Sequence, residues 1–262
     1  MYGGNTTCFQ IESDQLAEML IIDCGTGLRN LGNHVTNNGN PVKGRVFITH
    51  PHWDHLQGFP FFKPLYDETC GFRVYIPPQE DVGCKEILQG HMSNTFFPVT
   101  IDMLLADVEC ETFQPNTTIT LENYSVDFMW ARHTVQTAIY RFKIGGKVII
   151  VAPDNELPLN DSSEAQEFIN EFREFVRDAD VLVHDAQYNN EQIQHKIGWG
   201  HSSWERVIEV TKDLGIKNLV LTHHDPDSTD EYLSGLDALV KKEYGETYTS
   251  IGFAREGQSI RL

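Results

Sequence analysis

Basic residues are scarce in this chain: Lys and Arg number 20 against 38 Asp and Glu, a formal net charge of −18 at pH 7. That imbalance disfavours a long nucleic-acid footprint, which needs a basic stripe to displace counterions from phosphates. A small anion held by cations is still compatible with it. Long apolar runs are missing as well. No segment approaches the roughly 18 residues of a membrane helix, so no membrane partner is expected. The opening Met1-Tyr2-Gly3-Gly4-Asn5-Thr6-Thr7 has neither the basic stretch nor the apolar stretch of a secretory leader, and a cytoplasmic location is expected. The five cysteines (Cys8, Cys24, Cys70, Cys84, Cys110) are odd in number and form no C-x-x-C pair, which argues for free thiols rather than a disulfide framework or a structural zinc site. Low-complexity tracts, repeats and a Pro/Gly/Ser-rich linker are also absent. One domain spanning residues 1–262 is therefore expected, large enough to bury roughly 70–75% of the surface its unfolded chain exposes.

What is present is an interleaving of strand and helix patterns. Short β-like runs fall at Met19–Asp23, Arg45–Thr49, Phe72–Ile76, Ser125–Trp130, Ala138–Ile144, Lys147–Val151, Val181–His184 and Asn218–Thr222. Helical patterns fit Ser162–Asp178, Ser203–Leu214 and Asp230–Glu243. In the first, Phe168, Phe172, Phe175 and Val176 make one apolar face, and Ser162 is placed to cap it. The order suggests an α/β sandwich of sheets with helices on the outer faces.

The chemistry concentrates in Phe47-Ile48-Thr49-His50-Pro51-His52-Trp53-Asp54-His55-Leu56-Gln57-Gly58. An apolar strand ends, and three imidazoles and a carboxylate follow within six residues. Imidazole nitrogen and carboxylate oxygen suit zinc and neighbouring first-row metals. His50 and His52, two apart on an extended backbone, share a face and can reach one ion. Asp54 and His55 follow as the chain turns toward a helix and point elsewhere, which suits a second ion. The competing reading is a surface turn that happens to be rich in histidine.

The T-H-x-H-x-D-H pattern after an apolar strand resembles the signature of the metallo-β-lactamase superfamily. Further histidines and an aspartate then match in order: His133 after the run ending Trp130, Asp154 after Val148-Ile149-Ile150-Val151-Ala152-Pro153, and His223 closing Leu219-Val220-Leu221-Thr222. The resemblance implies a four-layer αβ/βα sandwich and two divalent metal ions, Zn2+ foremost, with Mn2+ or Fe2+ as alternatives. It implies one site of His50, His52 and His133, a second of Asp54, His55 and His223, and Asp154 as the bridge. His224, beside the last ligand, is a lesser candidate that would face substrate. Relatives begin with one more strand and a glycine-rich loop before the segment matching Tyr2-Gly3-Gly4-Asn5-Thr6, so that strand is expected to be absent or truncated here.

Within the superfamily, Gly200-His201-Ser202-Ser203 resembles the G-H-S-T segment of ribonuclease Z and its phosphodiesterase relatives, in which that histidine serves the scissile phosphate and the leaving oxygen. The plainer reading is a loop histidine beside serines that cap the next helix. Val181-Leu182-Val183-His184-Asp185-Ala186 resembles the same branch's strand ending H-[DE]-A, which makes His184 and Asp185 candidates to orient His201 or a ligand. The implied chemistry is hydrolysis of a phosphodiester by a metal-bound hydroxide, with Asp54 as ligand and water orienter and His201 as general acid. The long arm of tRNA-processing ribonuclease Z lies between the histidine matching His133 and the aspartate matching Asp154. Those residues are only 21 positions apart here (154 − 133), enough for a hairpin. An aromatic insertion at about 60–113 begins beside Phe59-Pro60-Phe61-Phe62 and contains Asn94-Thr95-Phe96-Phe97-Pro98. It reads as extra core or as a lid over a small ligand, and its rings could equally line a homodimer interface.

Together with the acidic charge, the resemblance points to small anionic diesters of the cyclic-nucleotide or cyclic-phosphate kind. The competing readings are a metal-dependent hydrolase of thioesters, lactones or β-lactams, a ribonuclease Z-like RNA endonuclease, and a metal-binding sensor without turnover.

Overall fold

The computed structural model describes residues 1–36, 39–80, 82–114 and 117–262. They form two compact units, one of Asn5–Thr117 and one of Met1–Gly4 with Thr118–Leu262. Asp81, inside the expected insertion, lies outside the described residues.

The unit of Asn5–Thr117 holds a five-stranded sheet in chain order: β1 (Phe9–Ile11), β2 (Met19–Ile22), β3 (Lys43–Phe47), β4 (Gly71–Ile76) and β5 (Asp107–Thr112). Only the β1/β2 pair is antiparallel. Parallel neighbours need crossovers, and these carry α1 (Gly27–Thr36), α2 (Trp53–Leu56) and α3 (Cys84–His91). The core gathers Ile21, Leu28, Val46, Ile48, Leu56, Phe59, Phe62, Phe72, Val74 and Leu88. Edge strand β5 alternates the exposed Asp107, Glu109 and Glu111 with the half-buried Val108 and Cys110.

The unit of Met1–Gly4 and Thr118–Leu262 holds a seven-stranded sheet. Four strands, β6 (Thr118–Thr120), β7 (Tyr124–Trp130), β8 (Ala138–Ile144) and β9 (Lys147–Ala152), form an antiparallel meander. From β9 the sheet continues in parallel through β10 (Val181–Asp185), β11 (Asn218–Thr222) and β12 (Ser250–Phe253). The crossovers are α4 (Ser163–Val176), α5 (Trp204–Thr211) and α6 (Asp230–Tyr244). Their N-caps Ser162, Ser203 and Thr229 accept from the backbone N–H of Ala165, Arg206 and Tyr232, which satisfies donors that a helix start leaves open. Strand β10 is buried at every residue, the pattern of a parallel strand covered on both faces. The 21-residue step from His133 to Asp154 contains β8 and β9, joined by Gly145 and Gly146 at positive φ. That is the expected hairpin.

In both sheets the polar residues collect where strands end. Asp23 follows β2 and is held at φ 61°, and Thr49 and His50 lie just past β3. Strands β7 and β9 both run against β8 and so share a direction, which sets the carboxyl ends leading to His133 and Asp154 on one edge. His184 and Asp185 close β10, and His223 follows β11 at φ 60°. Carboxyl ends of parallel strands are where α/β sheets hold ligands.

A close backbone approach fixes α2. Cys24 N–H donates to His55 O at 2.8 Å, and Gly58 N–H donates to Cys24 O at 2.8 Å. A Cβ on Gly58 would overlap the carbonyl of Gly25, so only glycine fits. Gly90, within α3, faces open space. Gly58→Ala is expected to lose about 1–3 kcal/mol through overpacking, whereas Gly90→Ala should gain about 0.5–1 kcal/mol from helix propensity. Urea unfolding of both variants checks this, and equal midpoints would contradict the close approach.

Candidate metal centre

A histidine that binds a metal through one nitrogen normally gives the proton on the other to an oxygen acceptor. In the unit of Asn5–Thr117 that arrangement is built on Asp23, a fully buried carboxylate. Its Oδ1 accepts from Thr49 N–H at 2.7 Å and from Thr49 Oγ1 at 3.0 Å, while its Oδ2 accepts from His55 Nδ1 at 2.8 Å. Thr49 Oγ1, having donated to Asp23, is left to accept from His50 Nδ1 at 3.1 Å. His50 and His55 are thereby set in the tautomer that carries the lone pair on Nε2. His50 Nε2 lies 3.0 Å from His52 Nδ1, and His55 Nε2 lies 3.2 Å from Asp54 Oδ2. Backbone at His52 is extended (φ −62°, ψ 151°), and Asp54 and His55 sit on the single turn of α2. Burial pushes the Asp23 carboxyl upward, and His55 and Thr49 offset only part of that.

The other unit assembles His133, Asp154, Asp185, His201 and His223. His133 Nδ1 donates to Gly200 O at 2.9 Å, again leaving the lone pair on Nε2, which is 3.7 Å from Asp154 Oδ2. Gly200 has to be glycine on two counts: its φ is 87°, and a Cβ there would overlap the His133 ring. His223 Nε2 is 3.4 Å from Asp154 Oδ1, and its Nδ1 meets the Gln187 amide at 3.1 Å. His201 donates from Nδ1 to Asp185 Oδ2 at 2.7 Å and stacks on His223 with ring centroids 5.0 Å apart. Burial by itself would push the His201 imidazole down, but Asp185 and then Asp154 more than offset it and the net shift is upward. One ligand atom from each of His133, Asp154 and His201 lies within 4.8 Å of the others, and the same holds for Asp185, His201 and His223.

Behind these side chains is a buried hub that residue patterns did not mark. Asn155 Oδ1 accepts from Arg132 N–H at 3.0 Å, its Nδ2 donates to His184 Nε2 at 3.0 Å, and its carbonyl accepts from Ser202 Oγ at 2.6 Å. One residue thus ties together the neighbours of His133, Asp154, Asp185 and His201. His184 is enclosed, with Nδ1 donating to Asp185 O at 2.6 Å and Phe172 edge-on to its ring, so it supports Asn155 and does not face a substrate. His224 is turned away from Asp154 by the left-handed backbone at His223. Its Nε2 donates to Ala254 O at 2.9 Å, and its ring packs on Tyr2 and Phe253. Asp23, Thr49, Asn155 and Gln187 were missed as site residues. The signals in the sequence were Thr49 at the head of the T-H-x-H-x-D-H pattern and an acid closing an apolar strand in Ile21-Ile22-Asp23.

In the segment expected as an aromatic insertion the burial of the rings is mixed. Phe59 and Phe62 are core, whereas Phe61 and Phe96 are exposed, with Phe97 edge-on to Phe61 at 5.4 Å. Trp53, between His52 and Asp54, is 75% exposed.

A family profile described as "Beta-lactamase superfamily domain" matches residues 19–224, so the chain belongs to the β-lactamase superfamily. A ribonuclease Z of Streptococcus suis (strain 98HAH33) is 23% identical over 297 residues, covering 95% of this chain and 91% of the relative. Among solved structures, the metallo-β-lactamase fold protein YhfI from Bacillus subtilis superposes with a TM-score of 0.69 at 19% identity, covering 97% of this chain and 90% of that one. A diphosphatase from the PhnP family gives 0.62 at 17% identity, covering 97% and 83%. Two sheets with helical crossovers in this order are thus the metallo-β-lactamase fold. Among the described residues no helix is long and apolar enough to cross a membrane.

Asn155→Ala removes an acceptor from Arg132 N–H and a donor from the buried His184 at once, and is expected to cost about 2–6 kcal/mol, the sum of two unsatisfied groups at about 1–3 kcal/mol each. Thermal unfolding should show it. An unchanged midpoint would mean that the hub does not hold the loops.

Proposed function

We propose that this superfamily member is a metal-dependent phosphodiesterase acting on small diesters, with cyclic nucleotides and cyclic phosphates as the substrate class. The observation that carries the reading is the Asp185–His201 pair at 2.7 Å, beside Asp154 and His223. A superfamily hydrolase of thioesters, lactones or β-lactams has less need of an imidazole backed by a carboxylate beyond its ligands. A phosphodiester with an alkoxide leaving group needs a proton donor. The sequence likeness to ribonuclease Z and the structural likeness to a PhnP-family diphosphatase support phosphoester chemistry.

The donor set fits divalent cations. Nδ1 protons of His50, His55 and His133 each go to an oxygen, which presets Nε2 lone pairs, and Asp54 and Asp154 add carboxylates. Following the family resemblance, we assign His50, His52 and His133 to one cation, Asp54, His55 and His223 to a second, and Asp154 to both. Zn2+ is the first choice, with Mn2+ and Fe2+ accepted by the same ligands. When bound, two such cations lower the pKa of a coordinated water and neutralise charge on the phosphate. The protein's own part is to hold the imidazoles in one tautomer through Asp23, Thr49 and Gly200. It also keeps a proton on His201 through Asp185 and delivers that proton to the leaving oxygen.

The short hairpin between His133 and Asp154 and the net charge of −18 favour small diesters over a long RNA. We further read residues 1–262 as one functional domain located in the cytoplasm, and any homodimer as formed through the exposed aromatic segments.

Purified protein loaded with zinc or with manganese is expected to hold about two metal ions per chain and to hydrolyse bis(p-nitrophenyl) phosphate and 3′,5′- or 2′,3′-cyclic nucleotides. Asp54→Ala should abolish turnover and lower the metal content. His201→Ala should cut kcat on cyclic nucleotides by about 10²–10⁴-fold. Its effect on the p-nitrophenyl ester should be much smaller, because that leaving group departs without a proton. Turnover of thioesters or lactones with none of any diester would overturn the proposal in favour of the carboxylic-ester reading. Cleavage confined to a precursor tRNA would favour the endonuclease reading, and full metal occupancy with no hydrolysis would favour the sensor.

A further inference from the structure

The segment leading into His201 carries a feature that the reaction as described does not use. After a buried anchor at Ile193, the chain turns through Lys196, Ile197, Gly198 and Trp199 to Gly200. Trp199 is 53% exposed, yet it is not on a loose loop. Gly198 N–H and Gly200 N–H, on either side of it, both donate to the Glu156 carboxylate at 2.9 Å, and Trp199 N–H donates to Lys196 O at 3.1 Å. Glu156 is itself tied to Arg132 O through its own N–H at 2.8 Å, and Gly200 O holds His133. A large flat ring is therefore held at the surface by the same hydrogen bonds that position two site histidines.

One face of that ring is already taken. Lys196 Nζ stands 3.9 Å from the Trp199 ring centroid and 5.7 Å from that of Tyr188, whose ring in turn meets His201 edge-on at 6.1 Å. The ammonium braces the indole on one side by a cation–π contact, and the exposure of the ring belongs to what remains. In a chain of net charge −18, Lys196 also brings positive charge to the turn that leads into His201. Trp199 and His201 are two residues apart, so their Cα atoms are at most about 7 Å from each other. A ribose spans a distance of that order between a base and its phosphate.

We propose that Trp199, braced by Lys196, is the stacking platform for the nucleobase of a nucleotide diester whose phosphate reacts at His201. The proposal rests on the phosphodiesterase reading and narrows its substrate class to diesters that carry a base. An aromatic ring held rigidly and open on one face is the usual device for stacking a base without reading its identity, so purine and pyrimidine diesters should both be accepted.

The test compares thymidine 5′-(p-nitrophenyl) phosphate with methyl p-nitrophenyl phosphate on the zinc- or manganese-loaded protein. The two esters share a leaving group and differ in the nucleoside. Trp199→Ala should lower the ratio of their kcat/KM values about tenfold, mainly through KM for the nucleoside ester, as expected for one base on one ring. Trp199→Phe should restore most of the ratio, and Ile197→Ala, in the same turn, should leave it unchanged. In parallel, AMP should quench tryptophan fluorescence in the wild-type protein, and Trp199→Phe should remove that component. A ratio that stays within twofold in Trp199→Ala, an equal loss in Ile197→Ala, or a quench that survives Trp199→Phe overturns the platform. Should the wild-type protein cleave neither ester, the phosphodiesterase reading falls. AMP quenching through Trp199 would then still support the base site, and its absence would dismiss that too.

Discussion

An imidazole has one proton to place, and whatever accepts it decides which nitrogen keeps a lone pair. Much of the structure around the site follows from that constraint. Thr49, Asp23 and the Gly200 carbonyl take the Nδ1 protons of His50, His55 and His133, and Asp185 takes that of His201. Each acceptor must be buried to be selective, and each buried acceptor needs partners of its own. Asp23 therefore sits in left-handed backbone at the end of β2 with three donors converging on it, and Gly200 is confined to glycine by the ring it holds. At Asp23, a non-glycine residue at positive φ, backbone strain and side-chain chemistry are coupled.

The fold was legible where apolar residues dominate and faint where packing decides. Strands over Ala138–Ile144 and Asn218–Thr222 match their sequence patterns to the residue, and α4 starts behind the expected Ser162 cap. Helix α1, with two glycines and two asparagines in Gly-Leu-Arg-Asn-Leu-Gly-Asn-His-Val-Thr, has poor intrinsic propensity. It exists because Leu28, Gly32 and Val35 bury against the sheet and the adjoining turns. Strand β5 escaped notice because only Val108 and Cys110 turn inward among acids, and β1, β6 and β12 are too short to show a period.

The same divide runs through the site. Histidines and aspartates that reach toward a ligand cluster in sequence and were readable as chemistry. Residues that aim them were not, because Asp23, Asn155 and Gln187 act across gaps of 23 to 47 positions through hydrogen bonds that only the folded chain reveals. For His184 and His224 the difficulty is one of direction. Adjacent side chains on a strand point to opposite sides, so of His184 and Asp185 only one could meet His201. At His223 and His224 the left-handed turn makes the same choice.

Edge strand β5 carries a consequence for how copies of this protein meet in a crowded solution. An unpaired strand edge is a template for another strand, and assembly through it is the ordinary route to insoluble material. Here any strand of like sequence docking along β5 would bring its own carboxylates against Asp107, Glu109 and Glu111. The margin against self-association at this edge is thus a matter of ionic strength rather than of shape, and high salt would erode it first.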